Sequence, residues 1–136
     1  MKKLLLLIPL IFLFSCETEE EERPCLLEGV WELNYEEFLQ TGYTDCYCEY
    51  SNTNCDETWT ECGSITFSEN GDVYYLDPPE GNEYNGQWSG GCMAGDTIFV
   101  SIEAETFPLA VIVSINNNNL ILDDGNGYRG YCTRLY

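Results

Sequence analysis

Cysteines and carboxylates dominate the side chains of this sequence that could do chemistry. Eight cysteines occur in 136 residues, and four of them, Cys46, Cys48, Cys55 and Cys62, follow one another as C-x-C-x₆-C-x₆-C. The C-x-x-C knuckles that zinc ribbons use are absent, so the cluster reads as disulfides, and no metal or cofactor is expected. Cys46 and Cys48 would face the same way on a strand and could not readily bridge each other, so each needs Cys55 or Cys62. Of the two pairings, the nested one, Cys46 with Cys62 and Cys48 with Cys55, suits a hairpin and is preferred. Asp and Glu together number 24, with no histidine anywhere and no lysine beyond Lys3. Ser-His-Asp and Cys-His nucleophiles, Schiff-base chemistry and histidine-bound zinc are thereby removed. Paired carboxylates could still serve a glycosidase-like reaction, but among 24 the presence of two carries no information. The expectation is a protein that is not an enzyme. The run Asp123-Asp124-Gly125-Asn126-Gly127 alternates oxygen ligands with glycine as a calcium loop begins, yet lacks the ligand spacing and closing glutamate, and reads as a hairpin turn.

Two aromatic groups are candidates for binding. Phe67, Tyr75, Tyr84, Trp88 and Phe99, with Trp31 and Tyr35, could line a cavity for a small apolar ligand, or could simply form the core of a β domain. Tyr43, Tyr47, Tyr50 and Trp59 crowd the polar, cysteine-rich stretch 40–62. There they could contact a protein or a sugar, or pack over the bridges.

The segment that sets the address is at the start. Lys2 and Lys3 precede an apolar run, residues 4–14, that is short for a membrane span; Ser15 and Cys16 follow, and then five glutamates within residues 17–22. Ser15-Cys16 after such a run resembles the lipobox of bacterial lipoproteins. That resemblance implies a signal peptide over 1–15, a diacylglycerol on the Cys16 sulfur and an acylated new terminus, several chains making a stable anchor where one would be marginal. The alternatives are an ordinary cleaved signal or an uncleaved anchor. The acidic run is similar to a surface-export signal of lipoproteins in one group of Gram-negative bacteria; otherwise residues 16–24 are a solvated tether. The expected location is the cell envelope, lipid-anchored to the outer membrane and exposed at the surface. Beyond residue 15, 121 residues remain, one domain's worth. Arg23, Arg129 and Arg134 against 24 carboxylates leave a side-chain charge of −21 there. Nucleic acid is excluded as a partner; a basic protein, a cation or a neutral ligand is compatible.

From Cys25 on, the pattern is β. Residues 29–35 predict a first strand with Trp31, Leu33 and Tyr35 on one face, followed at 36–39 by a short helical turn or fraying. Residues 40–62 lack apolar periodicity and are expected as an inserted loop or small hairpin stapled by its own bridges. Residues 64–76 predict a hairpin whose Asn70-Gly71 suits a type I′ turn. Strands are further expected over 83–89 (Tyr84, Gly86 and Trp88 on one face), 96–102, 109–115, 120–123 and 128–136, making eight at regular spacing, an antiparallel sandwich or up-and-down barrel.

Gly29-Val30-Trp31 on the first strand, sequential hairpins, about eight strands and Arg134 near the end together resemble the lipocalin-like domains of bacterial surface lipoproteins. The resemblance spans roughly residues 26–136 and implies a single small all-β barrel domain, 25–136. It implies that Trp31 packs at the closed end beneath an arginine, Arg134 before Arg129, in a cation–π pair. A clear C-terminal helix is missing and the cysteine-rich insertion is additional. If the barrel closes, its first and last strands become neighbours, so Cys25 and Cys132 are expected to bridge across the seam and Cys92 to be the odd thiol. Two functions follow: a barrel that binds a small apolar ligand or serves as an envelope binding module, or a protein-binding inhibitor or immunity-type lipoprotein that presents its acidic surface and a rigid aromatic lobe to a basic partner.

Overall fold

A computed structural model describes residues 24–51, 54–78, 80–102 and 105–136. The proposed signal peptide and Cys16 lie outside the described residues. No helix occurs among them; ten strands do: β1 Gly29–Phe38, β2 Tyr43–Cys46, β3 Glu57–Thr58, β4 Gly63–Phe67, β5 Asp72–Asp77, β6 Asn82–Gly90, β7 Thr97–Ile102, β8 Glu105–Ile115, β9 Asn119–Asp123 and β10 Tyr128–Arg134. Each of β4 to β9 pairs antiparallel with the next, β1 pairs with β4, and β10 returns to β1. Eight strands thus close an antiparallel barrel, the architecture that the lipocalin resemblance implies and one of the two that the strand spacing allows. Closure gives each of these eight strands a partner on both sides.

Alternation of side chains sorts the barrel into two ends. At the end where β1 begins, Leu27, Trp31, Phe67, Ile98, Ile112 and Leu120 are fully buried. Here the Trp31 indole donates to the Leu27 carbonyl (2.7 Å) and lies 4.2 Å from the Arg134 guanidinium carbon. Arg134 also donates to the carbonyls of Glu28 (2.7 Å), Asn117 (2.9 Å) and Leu26. Gly29 sits beneath it at φ +133, where a Cβ would run into the guanidinium. The Gly-x-Trp opening therefore has a steric cause as well as a conformational one. Cys25 is bridged to Cys92, which fastens the leading segment to the β6–β7 loop at this same closed end.

Several expectations change. β1 does not turn helical after Tyr35 but runs on to Phe38, because its upper half pairs with β10 on one side and β2 on the other. A bulge lies between Leu33 and Tyr35. It flips the alternation, so Tyr35 leaves the face of Trp31 and Leu33 and stacks against Tyr131 (4.2 Å between centroids) and Tyr50 (5.4 Å). The 64–76 hairpin forms, but its turn has only Gly71 at positive φ, with Gly71 N–H donating to the Ser68 carbonyl and Ser68 N–H to that of Asp72. It is a longer glycine-bulge turn, not type I′.

The bridges differ most. The pairs are Cys46–Cys55, Cys48–Cys62 and Cys25–Cys92, and the free thiol is Cys132. A nested pairing needs antiparallel strands, whereas β2 and β3 run parallel. Cys48 and Glu49 both take positive φ (56 and 54), which turns the chain after β2 and sends Cys46 and Cys48 different ways. Backbone bonds from Cys48 N–H to the Glu61 carbonyl and from Trp59 N–H to that of Cys46 carry the parallel register on to Cys62. The expected Cys25–Cys132 bridge fails because Cys132 sits within β10, opposite Leu33 and Leu120, facing the interior, while Cys25 precedes β1 at the barrel floor.

Candidate functional site

The other end of the barrel is not filled. Glu36 on β1, Asp77 at the end of β5, Asp123 at the end of β9 and Tyr128 at the start of β10 lie toward this end, the mouth. Between the mouth and the packed floor lies a cavity of about 350 Å³. Its walls are mostly apolar: Leu33, Ile65, Tyr75, Ala110, Leu122 and Cys132. Ala110 and Gly130 supply the room, for neither projects a long side chain inward. Gly130 pairs with Glu36 across the seam.

Polar groups enter the lining at Glu36, Ser64, Asp124 and Tyr128, and Glu36 is the one on β1. The bulge that turns Tyr35 outward turns Glu36 inward, among the cavity walls. Tyr47, buried directly after β2, donates its hydroxyl to the Glu36 carboxylate (3.1 Å). Burial holds the Glu36 pKa above the usual carboxylate range; the Tyr47 hydrogen bond opposes this, and the carboxylates of Asp77, Asp45 and Asp124 reinforce it. Tyr75 donates to Asp77 (3.2 Å), and burial first, then Asp77 and Glu36, drives the titration of its phenol far upward, as burial and Glu36 do for Tyr47. Burial also pushes the Cys132 thiol up to about 12, with Glu36 contributing, so Cys132 is a protonated, apolar wall element and no nucleophile at neutral pH.

The aromatic residues expected to bind a ligand divide between floor, cavity and outside. Tyr75 lines the cavity. Phe67 belongs to the packed floor, where Trp88 meets it edge-on (5.3 Å) and donates its indole N–H to the Ser68 carbonyl (3.0 Å). Tyr84 stacks on Tyr75 at 6.1 Å and is 40% exposed. Phe99 points outward, because Ile98 and Val100 on either side of it take the buried positions.

The insertion is not a separate lobe. β2 pairs with the part of β1 that β4 leaves uncovered, so residues 43–47 complete the barrel wall at the mouth. Of its four aromatics, Tyr47 is buried, Tyr50 is half-buried against Tyr35, and Trp59 packs on the core. Tyr43 alone of the four is exposed, its hydroxyl donating to Glu57 (3.0 Å). At the opposite turn, Asp123 accepts from Gly125 N–H (2.9 Å) and pairs with Arg129 (3.1 Å), while Asp124 accepts from the N–H groups of Asn126 and Tyr128 (2.7 and 3.0 Å). These carboxylates are occupied in building a hairpin turn.

Glu36 escaped the sequence reading. Strict alternation from Trp31 puts positions 33, 35 and 37 inside; only a bulge puts 36 there, and nothing in Leu33-Asn34-Tyr35 announces one.

No family model matches this chain, and no curated protein does. Among solved structures, a lipocalin-like protein from Bacteroides uniformis superimposes with a TM-score of 0.51 at 13% identity, over 81% of this chain and 99% of that one. At that identity the likeness concerns the backbone alone. The fold is a lipocalin-like barrel.

Proposed function

We propose that this is a lipid-anchored envelope protein whose barrel binds a small apolar ligand at its mouth and does no catalysis. The observation that carries the reading is the cavity: about 350 Å³, apolar in its walls, in a barrel otherwise packed to the floor. Cavities of roughly 300–1,000 Å³ with few polar groups are the usual form of small-molecule sites. Burying apolar ligand surface there gains about 25 cal/mol per Å². The Cys25 end lies beneath the floor, so a lipid on Cys16 would hold the closed end toward the membrane and leave the mouth facing away. The tyrosine lobe that would favour a protein-binding inhibitor is folded into the barrel wall, and so the ligand-binding reading is the one carried forward.

The test is titration of the neutral, environment-sensitive dye N-phenyl-1-naphthylamine against the protein and against Ala110→Phe, which fills the cavity. Saturable one-to-one binding lost in the variant is expected. Absence of saturable binding to the unmodified protein, or full binding to a folded Ala110→Phe, would overturn the reading.

A further inference from the structure

Among the described residues, Glu36 has no counter-ion in its mostly apolar cavity. Of the five basic residues in the sequence, Lys2, Lys3 and Arg23 lie outside the described residues. Arg129 pairs with Asp123, and Arg134 is engaged at the floor with backbone carbonyls and Trp31. Among the described residues the carboxylate receives one hydrogen bond, from Tyr47, whereas an ionised carboxylate has about four acceptor positions. Every charged group of the described residues that bears on it, namely Asp45 from β2, Asp77 from β5 and Asp124 from the β9–β10 turn, is itself acidic. Tyr47, Tyr75 and Cys132, which also face it, stay neutral at ordinary pH.

A buried carboxylate left this way resolves its charge by taking a proton or by acquiring a cation. The cavity has room for the cation to arrive on an organic molecule, and its apolar walls have affinity for the rest of that molecule. An anionic ligand meets the opposite situation, with a second carboxylate forced beside Glu36 and three more at the rim. We propose that the cavity selects small apolar molecules carrying a protonated amine, the nitrogen held by the Glu36 carboxylate and the hydrocarbon by the walls around Leu33, Ile65, Ala110 and Leu122. This rests on the ligand-binding reading above and adds the ligand's chemical class.

Three probes of one shape separate the two ideas: octylamine, octan-1-ol and octanoate, each titrated calorimetrically into the purified protein at pH 7. Octylamine is expected to bind about tenfold or more tighter than octan-1-ol, the usual worth of a charge-assisted hydrogen bond in a dry site, and octanoate more weakly than either. Glu36→Gln keeps the size of the side chain and an oxygen for the Tyr47 hydroxyl. It should bring octylamine down to the level of octan-1-ol. Equal binding of all three probes, tighter binding of octanoate, or an amine preference that survives Glu36→Gln in a folded variant overturns the inference while leaving a ligand-binding barrel. Failure of all three to bind overturns the ligand-binding reading as well.

Discussion

Replacing Arg134 with alanine tests the floor of the barrel, and its size can be worked from the contacts. The side chain donates to the carbonyls of Glu28 (2.7 Å), Asn117 (2.9 Å) and Leu26 and covers the Trp31 ring at 4.2 Å. A hydrogen bond from a charged donor contributes about 1.5–3 kcal/mol when nothing replaces it. The side chain is only half-buried, however, and water reaches part of what alanine would vacate, so the three together are worth roughly 2–3 kcal/mol. The cation over the indole adds about 0.5–1 kcal/mol. Arg134→Ala should therefore destabilise by about 2.5–4 kcal/mol, a large fraction of the 5–15 kcal/mol of an ordinary domain. Lysine restores the charge but not the fork, and should recover less than half of the loss. The assay is urea unfolding of the oxidised protein followed by tryptophan fluorescence, with unchanged m taken as the sign of an unchanged unfolded state. A variant within about 0.5 kcal/mol of the parent, or full rescue by lysine, would show that Arg134 decorates the floor and does not hold it.

Two further outcomes follow. Glu36 has its folded pKa raised, so its stabilising contribution is whole below the unfolded value near 4.3 and is lost as pH rises through the folded value. Glu36→Gln, which cannot ionise, should therefore gain in urea midpoint on the parent between pH 5 and pH 8, the groups facing it (Asp45, Asp77, Asp124, Tyr47, Tyr75 and Cys132) being the same in both proteins; a difference that stays flat over that range refutes the burial of Glu36. For the anchor, Cys16→Ser should release the protein from membranes or leave its precursor uncut, and unchanged fractionation with unchanged processing would end the lipoprotein proposal.

The strands were legible wherever alternation was unbroken. Ile65 and Phe67 against Val73 and Tyr75 mark a hairpin, and that pairing is the one found. An all-β sandwich or barrel was legible too, from strand number and spacing with almost no helical signal, and the resemblance carried by Gly29-Val30-Trp31 and Arg134 chose the barrel. The details that fix the site depend on departures from regularity. One extra residue at Asn34, whose side chain accepts from Thr133 Oγ1 on β10 (2.9 Å), exchanges the roles of Tyr35 and Glu36. A parallel pairing of two and two residues between β2 and β3 decides which cysteines meet. Both are outcomes of tertiary packing that the local sequence does not encode: β-strand preference reflects which neighbours a residue meets more than the residue itself. Phe99 shows the same limit on a smaller scale, since Ile98, Phe99 and Val100 are all apolar and only the pairing chooses which one stays outside.

The insertion then has a structural reason that bears on function. β4 begins at Gly63, where a side chain would run into Pro78, and covers β1 only from Gly29 to Leu33. The last residues of β1 would present an open edge at the mouth, and an open edge beside a cavity admits water and unwanted pairing. β2 closes it with a four-residue strand, too short to hold its place by pairing alone. The two crossed bridges supply the missing constraint: Cys46–Cys55 and Cys48–Cys62 close loops of 9 and 14 residues of separation, each worth roughly 2–3 kcal/mol by loop closure. What they hold in place is Tyr47, the one described donor to Glu36. The cysteines thus act on the cavity at one remove, by fixing the hydroxyl that orients its carboxylate. Reducing these bridges should loosen amine binding before it unfolds the floor, which the third bridge, Cys25–Cys92, holds separately.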